Sequence, residues 1–302
     1  MKSTTVIIPV HNRRETTLAC LRRLTADAVP AWACIVVVDD GSTDGTGEAV
    51  RREFPDVQIE RGNGQLWWTG AICAGMRRAL ADGAEFVVWL NDDTFPAPDA
   101  LRSLVELARD RHAIVGGAVY VDATDSRPAY GGFRRGWHGL RDLAWPQSGV
   151  VSCAALNGNF VCLPASVIGR IGLPDAVHLP HGLADTDYTL RASAAGIPVL
   201  LATSCRATAQ PNLGLNYRSW LLSDVPIREL WRHLRHPGSF YHQPAHFIFH
   251  WRHWGLAGAA YSAWLVLKLA LISVVRLIVP QAWLRRLRGS RSAAWQHEVK
   301  HS

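Results

Sequence analysis

No two cysteines in this sequence stand close enough to form a CxxC pair. Cys20, Cys34, Cys73, Cys153, Cys162 and Cys205 are scattered, several of them inside apolar strings. That spacing argues against a disulfide framework and fits small buried hydrophobes in a reducing compartment. A secretory leader is also lacking: the apolar run in MKSTTVIIPV is short, ends at Pro9 and has no small-residue cleavage site. It reads as a strand, which keeps the body of the chain in the cytoplasm. There is no internal repeat and no low-complexity tract. Acidic residues are scarce toward the C-terminus, where Asp224 and Glu229 are the only carboxylates between Arg206 and Arg291. The net charge of +7 and pI near 9.4 therefore belong to the tail, and favour an anionic partner such as phosphate, nucleic acid or an acidic lipid surface.

With 302 residues, 48% of them hydrophobic, the chain can bury one sizeable core and add a smaller appendage. Residues 5–9 and 34–38 read as apolar strands joined by a helix near 14–24, a β-α-β unit buried on both faces. Helices near 46–52, 69–82 and 98–110 then alternate with strands near 57–60, 86–90 and 114–121. This predicts an α/β fold with an open, mostly parallel central sheet flanked by helices. Residues 130–139, rich in Gly and Arg, read as a loop over a site. Order returns near 157–163, followed by a helix near 185–195 closed by Gly196 and a last strand at 199–202. A catalytic domain over 1–212 divides into halves at about 1–115 and 116–212, followed by a basic, aromatic helical region over 213–302.

Residues 255–279 are apolar apart from Lys268, Arg276 and a few hydroxyls, a membrane-length stretch within an apolar helix expected at about 254–279. Basic residues flank it on both sides: Arg252 before, and Arg276, Arg285, Arg286, Arg288 and Arg291 after. A single span would place an Arg-rich tail outside, so a helix lying in the cytoplasmic interface, or re-entrant, with Trp254, Trp264 and Trp283 at headgroup level, fits better. A buried helix packed on the body is the alternative. A membrane surface with anionic lipid, and not nucleic acid, is the expected partner, because no nucleic-acid-binding motif accompanies the charge. His242, His246, His250 and His253 have roughly helical spacing, but Pro244 interrupts them, and they read as interface histidines more than as a metal site.

Three carboxylate sites lie where loops leave strand ends: Asp39-Asp40, Asp92-Asp93, and Asp185 with Asp187. In an open α/β sheet the first two converge on one crevice. Taken alone, Asp39 or Asp185 could equally be a turn or helix-cap residue. Asp92 and Asp93 beside a buried strand repel one another, and a divalent cation, Mg2+ or Mn2+ for hard oxygen ligands, relieves that. Trp67 and Trp68 read either as core packing or as the wall of a sugar site.

The ordered segments VIIPVHN (6–12), VVVDDGSTD (36–44), GNGQLWWTGA (62–71), WLNDDT (89–94), NGNFV (157–161) and GLADTDYTLR (182–191) resemble the family 2 glycosyltransferases, inverting enzymes of the GT-A fold. The resemblance spans about residues 4–210. It implies a nucleotide-diphosphate sugar as donor, with Pro9, Val10 and His11 bordering the base and Asp40 accepting a hydrogen bond from it beside Asp39. Asp92 would lie near the ribose, Asp93 would hold Mn2+ or Mg2+, and Asp185 would be the general base. Trp67, Trp68 and Gly70 would face the donor sugar, while Asn157, Gly158 and Asp187 would support the acceptor side. The segment around Trp67 resembles members that transfer rhamnose or similar deoxysugars, so dTDP-rhamnose or a UDP-sugar is the expected donor. The expected acceptor is a lipid-linked saccharide of cell-envelope glycan synthesis, at the cytoplasmic face of a bacterial membrane. Two departures stand out. Ala184 occupies the place of a usual Glu before the base, and no His follows the last core strand, where Gln210 is the nearest polar side chain. They motivate the alternative of an inactive nucleotide-sugar-binding relative. A sugar-phosphate nucleotidyltransferase is disfavoured, because residues 9–14 lack the glycines of a triphosphate loop.

Overall fold

The computed structural model describes residues 2–144, 148–210, 221, 226–239 and 241–279. Most strands of its first half are buried on both faces. β1 (Thr4–Val10) is followed by α1 (Arg14–Ala26), a short α2 (Val29–Trp32) and β2 (Ala33–Asp39). Then come α3 (Thr46–Glu53), β3 (Gln58–Arg61), α4 (Trp67–Ala81) and β4 (Phe86–Leu90). Along β1 the side chains alternate: Val6, Ile8 and Val10 join a core layer with α1 and α5 residues such as Leu18, Leu21, Leu101 and Leu104, while Ile7 joins Ile72 and Met76 on the opposite face. α5 spans Ala100–Arg111, after the short β5 (Thr94–Pro96).

The second half continues with β6 (Ile114–Tyr120), β7 (Gly132–Arg135), β8 (Leu140–Asp142), β9 (Val150–Ser152), β10 (Ala155–Leu156) and β11 (Phe160–Pro164). It closes with α6 (Ala165–Ile171), α7 (Ala184–Ala194) and β12 (Val199–Ala209). The main sheet runs β3-β2-β1-β4-β11-β6-β12-β5, with β9 on β12. β1, β2, β3 and β4 are mutually parallel, as expected, but β11 lies antiparallel between β4 and β6, and β5 and β9 are antiparallel to β12. The sheet is therefore mixed rather than purely parallel, with β1, β2, β3, β4, β6 and β12 running one way and β5, β9 and β11 the other. The physical reason lies between β6 and β11, where the described residues form no helix that could serve as a parallel crossover. Instead, a small sheet of order β10-β7-β8 occupies the stretch expected to be a loop at 130–139.

Two helices from the C-terminal region are described: α8 (Ile227–His233) and α9 (Gln243–Ile278). Pro244 sits in the first turn of α9 and so begins the helix, where its missing N–H costs nothing, and does not interrupt the histidine run. Gly255 breaks α9 into two limbs at φ 56°, ψ −133°. The first limb packs on the body through Ala245 and Phe249. The second packs on α8, with Leu269 against Leu234 and Trp231 Nε1 donating to Ser273 Oγ at 3.1 Å. Its other side leaves Leu256, Trp264, Leu267, Leu271, Leu277 and Ile278 exposed. Length and composition make α9 able to cross a bilayer. Trp283, Arg285, Arg286, Arg288 and Arg291 lie outside the described residues.

Candidate active site

The carboxyl ends of β1, β2 and β4 open onto a cavity of about 460 Å³. Pro9, Val10, His11, Asp40, Trp67, Trp68, Asp92, Asp93, Asn157, Gly158 and Asp185 all line it, so segments spread over 176 positions of the chain meet in one place. Three expected site residues do not reach it. Asp39 and Asp40 are neighbours at a strand end and point to opposite faces. Asp39 instead accepts a hydrogen bond from the Ser42 amide at 2.9 Å and holds the following turn. Gly70 faces Leu66 one helical turn back. Asp187 lies behind the wall, fully buried.

Asp40 is an organiser of the loop before α4. Its Oδ1 accepts from the Gly64 amide at 2.7 Å, and its Oδ2 accepts from the Leu66 and Trp67 amides at 2.8 and 3.0 Å. These bonds hold Trp67 at φ 54°, a left-handed conformation costly for a side chain of this size. The His11 ring is 2.6 Å from the Asp40 carbonyl oxygen, so the β1 and β2 ends are tied together beside the pocket.

The two tryptophans divide their work. Trp68 Nε1 donates to Asn91 Oδ1 at 2.8 Å, and its ring meets Trp89 edge-on, which in turn meets Tyr188 of α7. It serves the core and the pocket wall together. Trp67 meets His181 and His236 edge-on, and Gly238 lies so close to its ring that any side chain there would overlap it. The C-terminal region thus touches the rim of the pocket.

Asp92 and Asp93 behave differently from one another. The Asp92 side chain is only 3% exposed and accepts from Thr17 Oγ1 at 3.2 Å. Burial pushes its pKa up to about 6, opposed by Arg13. Asp93 is 22% exposed on the cavity wall. Arg13, absent from the sequence-based site, bridges the pair at 3.2 Å to Asp92 and 3.0 Å to Asp93. Tyr130, Asn159, His181 and Gln210 also line the cavity. Of these only Gln210 was singled out in the sequence.

Asp185 lies in the first turn of α7, while Leu183 is the N-cap residue, so its carboxylate does not cap the helix. One oxygen accepts from the Gly158 amide at 2.6 Å and the other from the Thr186 amide at 2.7 Å. Desolvation raises its pKa, an effect these backbone hydrogen bonds partly offset. Gly158 can have no side chain: a Cβ would stand 2.7 Å from Trp68 and 2.9 Å from Asp185. Ala184 is fully buried in an apolar cluster with Leu179, Leu190, Ala245 and Phe249, so the usual Glu there would be driven into the docking surface of α9.

Behind the base, Asp187 takes Arg191 at 3.0 Å, Arg252 at 2.8 Å and His253 at 2.9 Å, and Arg252 also reaches Asp175 at 2.6 Å. Burial pushes the Asp187 carboxyl up, but hydrogen bonds from His253 and Arg252 outweigh it and hold the group below the usual range. His253 is therefore committed to a hydrogen bond with Asp187, and His250 to the His246 carbonyl at 2.7 Å. Among the described residues no group of three His, Cys, Asp or Glu side chains is arranged for a metal. An ion of the Mg2+ or Mn2+ kind does not need one, since it takes one or two carboxylates and fills its shell from water and substrate phosphates. Asp93, with hard oxygens on an open wall, fits that requirement.

Residues 5–159 match the family model "Glycosyl transferase family 2". That is more than half of the chain, which belongs to this family. Curated relatives include an undecaprenyl-phosphate mannosyltransferase of Micrococcus luteus, 34% identical over 36% of this chain and 46% of that one. Another is the undecaprenyl-phosphate 4-deoxy-4-formamido-L-arabinose transferase of Aeromonas hydrophila, 32% identical over 38% of this chain and 36% of that one. The chain spans less than half the length of either. Among solved structures, a mannosyltransferase from Pyrobaculum calidifontis in complex with GDP-Man and Mn2+ superposes with a TM-score of 0.58 at 18% identity, covering 98% of this chain and 82% of that one. GalNAc-T7 with UDP, GalNAc and Mn2+ gives 0.58 at 16% identity, over 69% and 44%. Likeness at this identity shows the fold, which is GT-A.

Proposed function

We propose that the chain is an inverting glycosyltransferase that moves a sugar from a nucleotide-diphosphate sugar to a hydroxyl of a lipid-linked saccharide in cell-envelope glycan synthesis, at the cytoplasmic face of a bacterial membrane. One observation carries the reading: a single cavity has a buried-side carboxylate, Asp185, on one wall and the Asp92-Asp93 pair on the other, with Trp67 and Trp68 beside them. Val10 and His11 border the base, which takes the lone pair left on Asp40 Oδ1. Asp92 contacts the ribose. Asp93 would hold Mn2+ or Mg2+, which when bound supplies Lewis-acid neutralisation of charge on the diphosphate leaving group. Trp68, Asn157 and the Gly158 backbone shape the space between donor and acceptor.

Asp185 receives the proton of the acceptor hydroxyl while that oxygen attacks the anomeric carbon opposite the diphosphate, and a single displacement inverts the centre. Its raised pKa makes it a stronger base than an exposed aspartate, and the Gly158 amide fixes its direction. The two curated relatives are undecaprenyl-phosphate transferases by name. A phosphate acceptor arrives already ionised and gives Asp185 nothing to do. The pocket wall also opposes it, since Asp40, Asp92, Asp93 and Asp185 face one arginine, Arg13. A saccharide hydroxyl fits both features. Transfer from UDP-, GDP- and dTDP-sugars to membrane-extracted lipid-linked saccharide, compared with undecaprenyl phosphate, tests the reading. Transfer to the saccharide that Asp185→Asn abolishes supports it. Wild-type transfer to neither acceptor favours the inactive, nucleotide-sugar-binding alternative, and transfer to the phosphate that survives Asp185→Asn overturns the assignment of the base.

A further inference from the structure

The Asp92-Asp93 pair already has a cation of the protein's own. Arg13 sits at the N-terminus of α1, one turn before Thr17, and both residues reach Asp92. The loop that carries Arg13 is clamped from the β2 side: the Asn12 amide donates to Ser42 Oγ at 2.9 Å, Asn12 Oδ1 accepts from the Thr43 amide at 2.8 Å, and the Arg14 amide donates to Asp44 at 3.0 Å. The backbone is therefore fixed while the guanidinium spans the two carboxylates. Its freedom is one-sided. The Arg13 side chain is 41% exposed, so it has room to swing out over the cavity, whereas the Asp92 side chain at 3% is enclosed.

We propose that Arg13 is a built-in counter-cation that keeps free divalent cation off Asp93 and makes the site take cation and diphosphate together. The inference rests on the reading of Asp93 as the cation's ligand. Charge decides it. Two carboxylates and one guanidinium leave a single negative charge. A divalent cation alone reverses that sign against a fixed guanidinium, and a diphosphate alone deepens it. The two together leave the charge unchanged, and Arg13, displaced from Asp93, then faces the diphosphate, for which a guanidinium is a suitable donor. Arg13 is thus a positioning residue that sets the order of assembly.

The test is Mn2+ binding to the full chain, read by electron paramagnetic resonance without nucleotide. Arg13→Gln binds Mn2+ about tenfold more tightly than wild type, a size set by two partly exposed charge pairs. Arg13→Lys keeps the charge and stays close to wild type. The gain vanishes in the double variant Arg13→Gln/Asp93→Asn. With UDP, GDP or dTDP present the advantage of Arg13→Gln shrinks, because the wild-type guanidinium then has the diphosphate. Equal or weaker Mn2+ binding by Arg13→Gln, while Asp93→Asn still lowers wild-type affinity, overturns the inference and leaves Asp93 as the ligand. An Asp93→Asn change without effect in either background removes the reading of Asp93, and this inference with it.

Discussion

Gly158 has Trp68 and Asp185 standing where its own side chain would be. Gly158→Ala must push one of them aside, and displacement of a catalytic group by about 1 Å costs about 100-fold in rate. The expected result is a fall in kcat of that order with nucleoside diphosphate affinity preserved, since Asp40, Asp92 and Asp93 are untouched. A kcat within a factor of two of wild type would show that Asp185 is not held through this contact. Asp185→Asn should lower kcat by about 10²–10⁴-fold, the range for loss of a general base. The pH profile carries the sign of the Asp185 shift. A base must be ionised, and burial raises its pKa, so the acidic limb of kcat/KM lies above that of an ordinary aspartate. An acidic limb at or below about 4 would contradict this. These residues differ in how visible they were. Asp92 and Asp93 lie at the end of an apolar run and Asp185 at the start of a helical pattern, in an order that the sequence itself displays. Arg13 does not, because its importance comes from carboxylates 79 and 80 positions away, and an arginine after a strand has no local signature.

α7 and α9 are joined by charge as well as by apolar packing. Arg252 of α9 grips Asp187, two residues after Asp185, and Asp175. Arg252→Gln leaves Asp187 with Arg191 and His253, so its cost is below that of a fully stripped buried carboxylate. With Arg252 31% exposed, about 2 kcal/mol is expected in urea denaturation. Asp175 is pulled down to about 2, where the Arg252 and His178 hydrogen bonds outweigh desolvation, and Asp187 is lowered too. Depressed carboxylates stabilise above the unfolded pKa of about 3.9 and lose that contribution as pH falls through the folded value. The difference between wild type and Arg252→Gln is therefore full at pH 7 and shrinks between pH 4 and 2. A difference unchanged at pH 2.5 would place its origin in packing. β1, β2 and β4 were legible because a parallel strand buried on both faces is apolar at almost every position. The direction of β11 was not, since Phe160 to Leu163 are buried on both faces and such a strand reads the same either way. The role of Asp187 was visible only as support, because two of its three partners, Arg252 and His253, come from α9.

At the scale of the molecule, the basic C-terminal region meets the pocket rim where Gly238 and His236 lie against Trp67, and is tied to the wall behind it by the Arg252 ion pairs to Asp187 and Asp175. Beyond Gly255 the second limb of α9 buries Leu269 against α8 and leaves Leu267 and Leu271 51% and 52% exposed. A lipid interface would cover that face and bring a lipid-linked acceptor to the Trp67 side of the cavity. Replacing both leucines by Glu removes roughly 3 kcal/mol of apolar burial in lipid, so flotation with anionic vesicles should fall by about 100-fold while nucleotide binding persists. Undiminished flotation would move the membrane contact elsewhere. The length of the apolar run announced this helix, but its division at Gly255 depends on what each limb packs against. On the proposed reading the cavity holds a nucleotide-diphosphate sugar through Asp93 and a divalent cation. Calorimetry with UDP, GDP and dTDP, with Mn2+ and then with chelator, on wild type, Asp93→Ala and Asp185→Asn, tests it most directly. Binding of one base that needs Mn2+, is lost in Asp93→Ala and is kept in Asp185→Asn is the predicted result. A folded protein that binds none of the three, or binds one equally well without Mn2+ and without Asp93, contradicts it.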